Sequence, residues 1–262
     1  MNEYKFEDFE IDLKESLGKS GNGVVYRATK KNTGKIYAIK IDPIDNLEKK
    51  EINNMLLMNK CENSIKYYGY FIEENLIYLI MELCDCNLAQ IIEEKKLNAK
   101  EIKEILEQLN KAFKIMYEKA IIHRDIKPEN ILVKKLENNK YIYKLTDYGL
   151  SKQLTQSHKA STLAGTIDYI APEILNDLNV DKSKVDLWSI GILIHQLYFG
   201  YTPKNNIIQK TNDKYLDDLI SKLLIKNPFD DNNNNNCRIS WEDYFNHNIF
   251  KNSSEKKILK NF

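Results

Sequence analysis

The spacing of apolar residues changes character once along this chain, and that change limits the fold more than any other feature. The first eighty or so residues read as strands. Segments 9–17, 24–30, 36–42, 65–72 and 76–83 are rich in Val, Ile, Tyr and Leu, and Gly or Asn breaks separate several of them. One helix interrupts them, from 47 to about 59, with Ile52, Met55 and Leu56 on one face. After Cys84 the period turns helical. Ile102, Ile105, Leu106, Leu109, Phe113, Met116 and Tyr117 recur at three- and four-residue steps, Asn98 can cap that helix, and Glu101 completes a capping-box pair. Val185, Trp188, Ile192 and Leu193 mark a second apolar helix, and Leu216, Leu219, Ile220 and Leu223 a third. The pattern predicts an α+β chain in which a strand-rich lobe meets a helix-rich lobe near residues 82–87. A crevice between two such units is a natural ligand site.

The bulk numbers set limits on that reading. In 262 residues, 42% are hydrophobic, enough for a proper core, and 29% are charged, which suits a water-exposed surface. The net charge of +1 gives no general attraction to nucleic acid or to an anionic membrane. No apolar run approaches the ~20 residues of a membrane span. The start lacks the apolar region of a signal peptide and carries Asn2 where myristoylation needs glycine, so a cytoplasmic or nuclear location is expected. The four cysteines (61, 84, 86, 237) read as reduced thiols, because Cys84-Asp85-Cys86 lacks the second ligand pair of a zinc site. Asn232 to Asn236 form a homopolymer that reads as a low-complexity loop.

The chemistry concentrates in His123-Arg124-Asp125-Ile126-Lys127-Pro128-Glu129-Asn130. A carboxylate, an ammonium and a carboxamide stand within six residues. Asp125 can accept a hydroxyl proton, Lys127 can neutralise charge on a moving phosphoryl group, and Asn130 can hold magnesium. A plain polar loop stopped by Pro128 is the bland alternative. Upstream, Gly18-Lys19-Ser20-Gly21-Asn22-Gly23-Val24-Val25 lies between two expected strands; it suits a phosphate cradle, and equally an ordinary hairpin turn. Strand alternation puts Ala38 and Lys40 of Tyr37-Ala38-Ile39-Lys40 on one face.

Together these blocks resemble the eukaryotic protein kinases, and of those the serine/threonine type. The octamer is similar to the catalytic loop, 18–25 to the glycine-rich loop and 37–40 to the lysine-bearing strand. Thr146-Asp147-Tyr148-Gly149 resembles the D-F-G motif with Tyr for Phe, Ala171-Pro172-Glu173 the A-P-E motif, and Asp186-Leu187-Trp188-Ser189-Ile190-Gly191 the helix start that anchors the catalytic loop. In the glycine-rich block, Ser20 and Asn22 depart from the usual glycine and aromatic tip, but neither removes a backbone amide.

The resemblance implies a two-lobed fold: a small antiparallel-sheet N-lobe with one main helix (about 11–83), a hinge (about 82–87) and a mainly helical C-lobe (about 88–250). Residues 1–10 and 251–262 would flank the catalytic domain. It implies ATP and Mg2+, with Mn2+ as a substitute. The nucleotide would lie among Leu17, Gly18, Ser20, Gly21, Asn22, Gly23, Val25, Ala38, Lys40, Met81, Glu82, Cys84 and Leu132. Met81 would be the gatekeeper, and the Glu82 carbonyl and Cys84 amide would meet the adenine edge. Glu51, preferred over Glu48, would pair with Lys40. Asn130 and Asp147 would hold the metal. Glu173 would pair with Arg238, and Asp186 would hold the catalytic loop. Tyr67, Met55, Tyr148 and His123 would stack into a column.

Lys127, with Gly165-Thr166 before the A-P-E block, matches the serine/threonine pattern. Thr162, with Ser161 as its neighbour in contention, falls at the regulatory position, and Arg124 and Lys152 are placed as ligands for a phosphate there. Expected partners are protein substrates with Ser or Thr acceptors and an upstream kinase; nucleic acid and membrane insertion are not expected. The opposed class, a scaffold without catalysis, predicts a lost Lys, Asp or metal ligand, yet Lys40, Glu51, Asp125, Asn130 and Asp147 are all present. Only 52 positions separate Asp186 from Arg238, so the stretch 200–213 has little room for the helix that usually docks partners.

Overall fold

A computed structural model describes residues 4–20, 23–46, 49–148, 167–175, 183–204, 207–229 and 237–251, without the side chains of residues 20, 46, 49–51 and 139. Five antiparallel strands form the first sheet: β1 (Phe9–Ser20), β2 (Gly23–Lys30), β3 (Ile36–Pro43), β4 (Tyr67–Glu73) and β5 (Leu76–Met81), in the order β1-β2-β3-β5-β4. Helix α1 (Lys49–Met58) sits between β3 and β4 in the chain. Strand β3 is central, and its residues Tyr37 to Lys40 are buried on both faces. Its odd positions Tyr37 and Ile39 join Phe9, Ala28, Phe71, Tyr78 and Ile80 in a separate outer core. Its even positions Ala38 and Lys40 face the crevice side, as a two-residue period requires.

Strand β1 starts at Phe9, where the sequence reading put it, and the preceding turn supplies Phe6, whose ring lies 5.6 Å from that of Tyr78. One detail departs from the sequence reading of this lobe. On α1, Met55 and Met58 are buried and Ile52 is half-buried, but Leu56 is 40% exposed. The inward face is set by packing against the sheet and the neighbouring lobe, so Leu56 does not share it.

A hinge segment leads to the helical lobe. There α2 (Leu88–Glu94) precedes α3 (Ala99–Glu118), and β6 (Cys86–Asn87), β7 (Ile131–Lys135) and β8 (Tyr141–Leu145) form a small antiparallel sheet. Asn98 caps α3 by accepting from Lys100 N and Glu101 N while Glu101 reaches back to Asn98 N, which is the expected box. The α3 stripe from Ile102 to Met116 is buried, each such side chain contributing about 1.5–3 kcal/mol of transfer free energy. Helices α4 (Pro172–Leu175), α5 (Val185–Phe199), α6 (Lys214–Leu223), α7 (Trp241–Phe245) and α8 (Asn248–Lys251) complete the lobe. Helix α5 is apolar on every side and buried from Val185 through His195, as a central core helix must be. It meets α6 at Gly191, where a Cβ would come within 2.7 Å of Leu224. Among the described residues of 200–213 there is no α-helix, in line with the shortness of that stretch.

Glu173 and Arg238 tie α4 to the segment before α7. Their side chains are 1% and 0% exposed and paired twice, at 2.5 and 3.0 Å. The guanidinium also donates to the Ile225 and Lys184 carbonyls and lies over the Trp188 ring, so its charge is fully compensated. Removing one partner strands the other in the core. Arg238→Met should lower unfolding free energy by about 3–5 kcal/mol in urea titration.

Candidate functional site

Two segments from opposite lobes form a seam beside the crevice. Ile65 N donates to the Leu145 carbonyl, Leu145 N donates to the Asn63 carbonyl, and Lys144 Nζ donates to the Glu62 carbonyl at 2.6 Å. Lys144 also pairs with Glu82 of the hinge at 2.9 Å, and Glu82 accepts from Lys66 N. Both side chains of that pair are buried, and both have several hydrogen-bond partners, which offsets the cost of removing them from water.

On the helical side, the first turn of α5 positions the loop before β7. The buried Asp186 carboxylate accepts from His123 N (2.8 Å) and Arg124 N (2.7 Å). Burial pushes its carboxyl above the usual range, opposed by His123 and by these amides. Arg124 has φ 67, a left-handed conformation that costs a non-glycine residue about 1–2 kcal/mol, and the Asp186 bonds hold it there. His123 completes the support, its Nε2 lying 2.8 Å from the Thr146 carbonyl.

The bend at Arg124 turns Asp125 inward, where it is 3% exposed. Its Oδ2 accepts from Asn130 Nδ2 at 2.6 Å and pairs with Lys127 Nζ at 2.8 Å. Its Oδ1 is buried with no hydrogen-bond partner among the described residues. Asn130 donates a second bond to the Asp125 carbonyl, which turns its own side-chain oxygen away from Asp125. Asp147 follows β8 with φ 64, and Thr146 N donates to the Asn130 carbonyl, so both expected metal ligands hang from one hydrogen-bonded unit.

Lys40 reaches this unit from β3. Its Nζ lies 3.3 Å from Asp147 Oδ1 and 3.7 Å from Asp42 Oδ2. Val25 is its register partner on β2, and Ala38 is the register partner of Met81 on β5. A small residue, a cation and the expected gatekeeper thus line one side of the crevice. Leu17 at its lip is 48% exposed, and Leu132 on β7 is half-buried on the other side. Among the described residues, no backbone bond engages the Glu82 carbonyl or the Cys84 amide. Burial pushes the Cys84 thiol up to about 12, so it stays neutral and behaves as packing. Gly23 needs its missing side chain: a Cβ there would lie 2.8 Å from both Asp42 Oδ2 and Lys40 Cε.

Several expected positions fall outside the described residues: Gly21, Asn22, Lys152, Ser161, Thr162, Gly165 and Thr166, and the side chains of Ser20, Glu48 and Glu51. Gly18 on β1 is the register partner of Val25 on β2, and Glu173 pairs with Arg238. Of the expected column, Met55, Tyr67 and Tyr148 are buried in one core, and the Tyr148 ring lies 5.3 Å from that of His123. Asp42 and the Lys144–Glu82 pair were missed. Asp42 was legible, since it shares a strand face with Lys40. The Lys144 pair was not, because 62 positions separate its members.

Residues 11–261 match the protein kinase domain family. The chain is 36% identical over 219 residues to calcium-dependent protein kinase 5 of Plasmodium berghei (strain Anka), which covers 79% of this chain and 37% of that protein. It is 33% identical over 203 residues to the serine/threonine-protein kinase cst-1 of Caenorhabditis briggsae, 75% of this chain and 40% of that protein. It is 37% identical over 194 residues to the serine/threonine-protein kinase pakG of Dictyostelium discoideum, 71% of this chain and 16% of that protein. The matched region thus spans two fifths or less of each of these relatives.

Tyr148 carries a hydroxyl into this core and satisfies it on Ser64 Oγ at 2.8 Å, across the seam. Burial pushes that phenol far above its usual range, so it acts as a neutral donor. Tyr148→Phe should cost about 1 kcal/mol in chemical denaturation, the net value of one buried hydrogen bond, while Ser64→Ala added to Tyr148→Phe should cost little more.

Proposed function

This chain belongs to the protein kinase family, and from that premise we propose that it transfers the γ-phosphoryl group of MgATP to Ser or Thr hydroxyls of protein substrates. The observation that carries the reading is the meeting of Lys40 with Asp147 at 3.3 Å, next to the Asp125–Lys127–Asn130 group. One triphosphate in that place is gripped from both lobes.

The residues present suit the nucleotide and its metal. Asp147 and the outward side-chain oxygen of Asn130 are the hard oxygen donors that magnesium prefers. Asp147 and Asn130 would hold magnesium, which when bound would offset the charge of the phosphates. Lys40 orients the α- and β-phosphates, with Glu51 as its expected mate on α1. The glycine-rich block, which the family resemblance assigns to the phosphates, faces them, and the Glu82 carbonyl and Cys84 amide take the adenine edge between Ala38, Val25, Leu17 and Leu132.

Asp125 orients the acceptor hydroxyl and takes its proton. Its unpartnered Oδ1 leaves one acceptor site for that hydroxyl. Lys127, held at 2.8 Å from Asp125, stands beside the same position and offsets charge on the transferred group. Lys127 and Thr166 support serine/threonine over tyrosine acceptors, as do the printed names of the relatives from Caenorhabditis and Dictyostelium. The partners are then protein substrates and an upstream kinase acting on Thr162, with Arg124 and Lys152 as ligands of the new phosphate. No helix among the described residues is long and apolar enough to cross a membrane; a cytoplasmic or nuclear setting accords with the reading.

The decisive experiment supplies radiolabelled ATP, magnesium and a generic protein substrate. Wild type should label it, and Asp147→Asn should lose about 100-fold or more of that rate. Equal, background-level labelling by both chains overturns the reading in favour of a scaffold. Regulation is read separately: Thr162→Ala should lower turnover after treatment with an activating kinase, and unchanged turnover would remove Thr162 from the account.

A further inference from the structure

Between α5 and α6 the described residues form no α-helix and build a hollow instead. It measures about 250 Å³ and is lined by Tyr201, Lys204, Ile207 and Gln209. That is less than the roughly 300–1,000 Å³ of a small-molecule pocket and suits a single side chain. Its apolar walls stand in water: Tyr201 is 41% exposed, and Ile207, at 65%, is the most exposed of the large hydrophobic residues described. The Tyr201 phenol donates to Gln209 Oε1 at 2.7 Å, which fixes the ring as a wall and leaves the Gln209 amide hydrogens unused. Lys204 and Lys210 enter no ion pair among the described residues. The carboxylates nearest in sequence are committed: Asp213 accepts from Tyr215 N and Leu216 N, and Asp217 accepts from Thr211 N. The rim thus presents an ammonium and an amide, both donors, over apolar walls.

We propose that this hollow docks the protein substrate, taking one apolar side chain that has an acidic residue beside it in the substrate's sequence. This rests on the kinase reading above. The occupant follows from the chemistry of the rim. A carboxylate meets the ammonium of Lys204 and the amide of Gln209, a basic residue meets repulsion, and the apolar side chain removes Ile207 and Tyr201 from water. Position favours the substrate over other ligands. Thr202 Oγ1 donates to Asp168 Oδ2 at 2.5 Å, and Ser189 Oγ donates to the Tyr169 carbonyl at 2.8 Å. The hollow and the segment before Ala171-Pro172-Glu173 are therefore fastened to each other and to α5. His195, buried in α5, holds the Tyr201 carbonyl 3.0 Å from its Nδ1. Tyr169 in turn senses the proposed base: burial pushes its phenol far above the usual range, and the charges of Glu129, Asp168 and Asp125 add to that. Electrostatic and hydrogen-bonded links thus run from Asp125 through residues 168–169 to the hollow. A substrate seated at both ends gains affinity by linkage of two sites.

The test scans a Phe-Glu pair along an alanine-rich peptide with a single serine and measures kcat/KM with the full chain and MgATP. At one spacing from the serine the pair should raise kcat/KM about tenfold over Ala-Glu, through KM rather than kcat. Phe-Lys at that spacing should fall about two- to fivefold below Phe-Glu. Ile207→Glu, at a position already facing water, should remove the gain and leave the plain alanine peptide unaffected. Lys204→Glu should reverse the charge preference in favour of Phe-Lys. The docking site is overturned by a scan with no gain at any spacing, by an Ile207→Glu chain that loses the plain peptide equally, or by a Lys204→Glu chain that keeps the wild-type preference. Sedimentation reads the competing occupant: a wild-type dimer that Ile207→Glu splits gives the hollow to a second copy of the chain and overturns the proposal too. A wild type that labels the generic protein substrate but gains from no pair defeats the hollow alone, whereas one that labels neither protein nor peptide defeats the kinase reading itself.

Discussion

The hydrogen-bonded seam between residues 62–65 and β8 is the constraint on which the rest of the crevice depends. Among the described residues the other ties between the five-stranded sheet and the helical lobe are the hinge, side-chain packing and side-chain pairs such as Lys40 with Asp147. The bonds from Ile65 to Leu145, from Leu145 to Asn63 and from Lys144 to Glu62 fix the height of β8 against the upper lobe. Asp147 follows β8 by two residues and Lys40 comes from β3, so their separation is set by that seam rather than by either lobe alone. Tyr148, bonded to Ser64, extends the same seam into the core beneath α1.

A second constraint works from below. Helix α5 is buried on all sides and hardly free to shift, and Asp186 in its first turn holds the backbone of His123 and Arg124. That clamp keeps Arg124 in a left-handed conformation and turns Asp125 toward Asn130 and Lys127. Rigidity is drawn from the helical core, while the strained backbone sits where the chemistry is proposed, the usual distribution of strain in a positioned site. The Glu173–Arg238 pair fastens α4 to the same core, fully enclosed and with its donors taken up.

Much of this was legible before any coordinates. The Val-, Ile-, Tyr- and Leu-rich segments up to β5 and the three-to-four period of α3 after the hinge separated a strand-rich from a helix-rich part, because β-branched and aromatic residues suit a pleated surface and a periodic apolar stripe suits a helix. The α3 cap at Asn98 was legible for a local reason: all three of its bonds join residues three apart or fewer. Leu56 shows the limit. Helical spacing alone cannot say which of two adjacent apolar stripes turns inward, and packing against the sheet chose Met55 and Met58. The short helix α2 was not anticipated, since seven residues carry too little periodicity to stand out.

The sequence by itself determined which chemical groups this chain owns and in what order: a lysine on a strand, an aspartate, a lysine and an asparagine in one loop, and a second aspartate after the next strand. It determined their local geometry too, because alternation and capping act over a few residues. What only the tertiary structure decided is which charges meet. Lys40 lies 107 positions from Asp147 and Lys144 lies 62 from Glu82, while the meeting of Glu173 with Arg238, 65 positions apart, was expected from the family resemblance and not from any spacing. Such pairings depend on how separate elements pack, and no local spacing encodes them. The approach of Asp42 to Lys40 stands between the two cases: the strand period allows it, and the close cover of Gly23 makes it a contact.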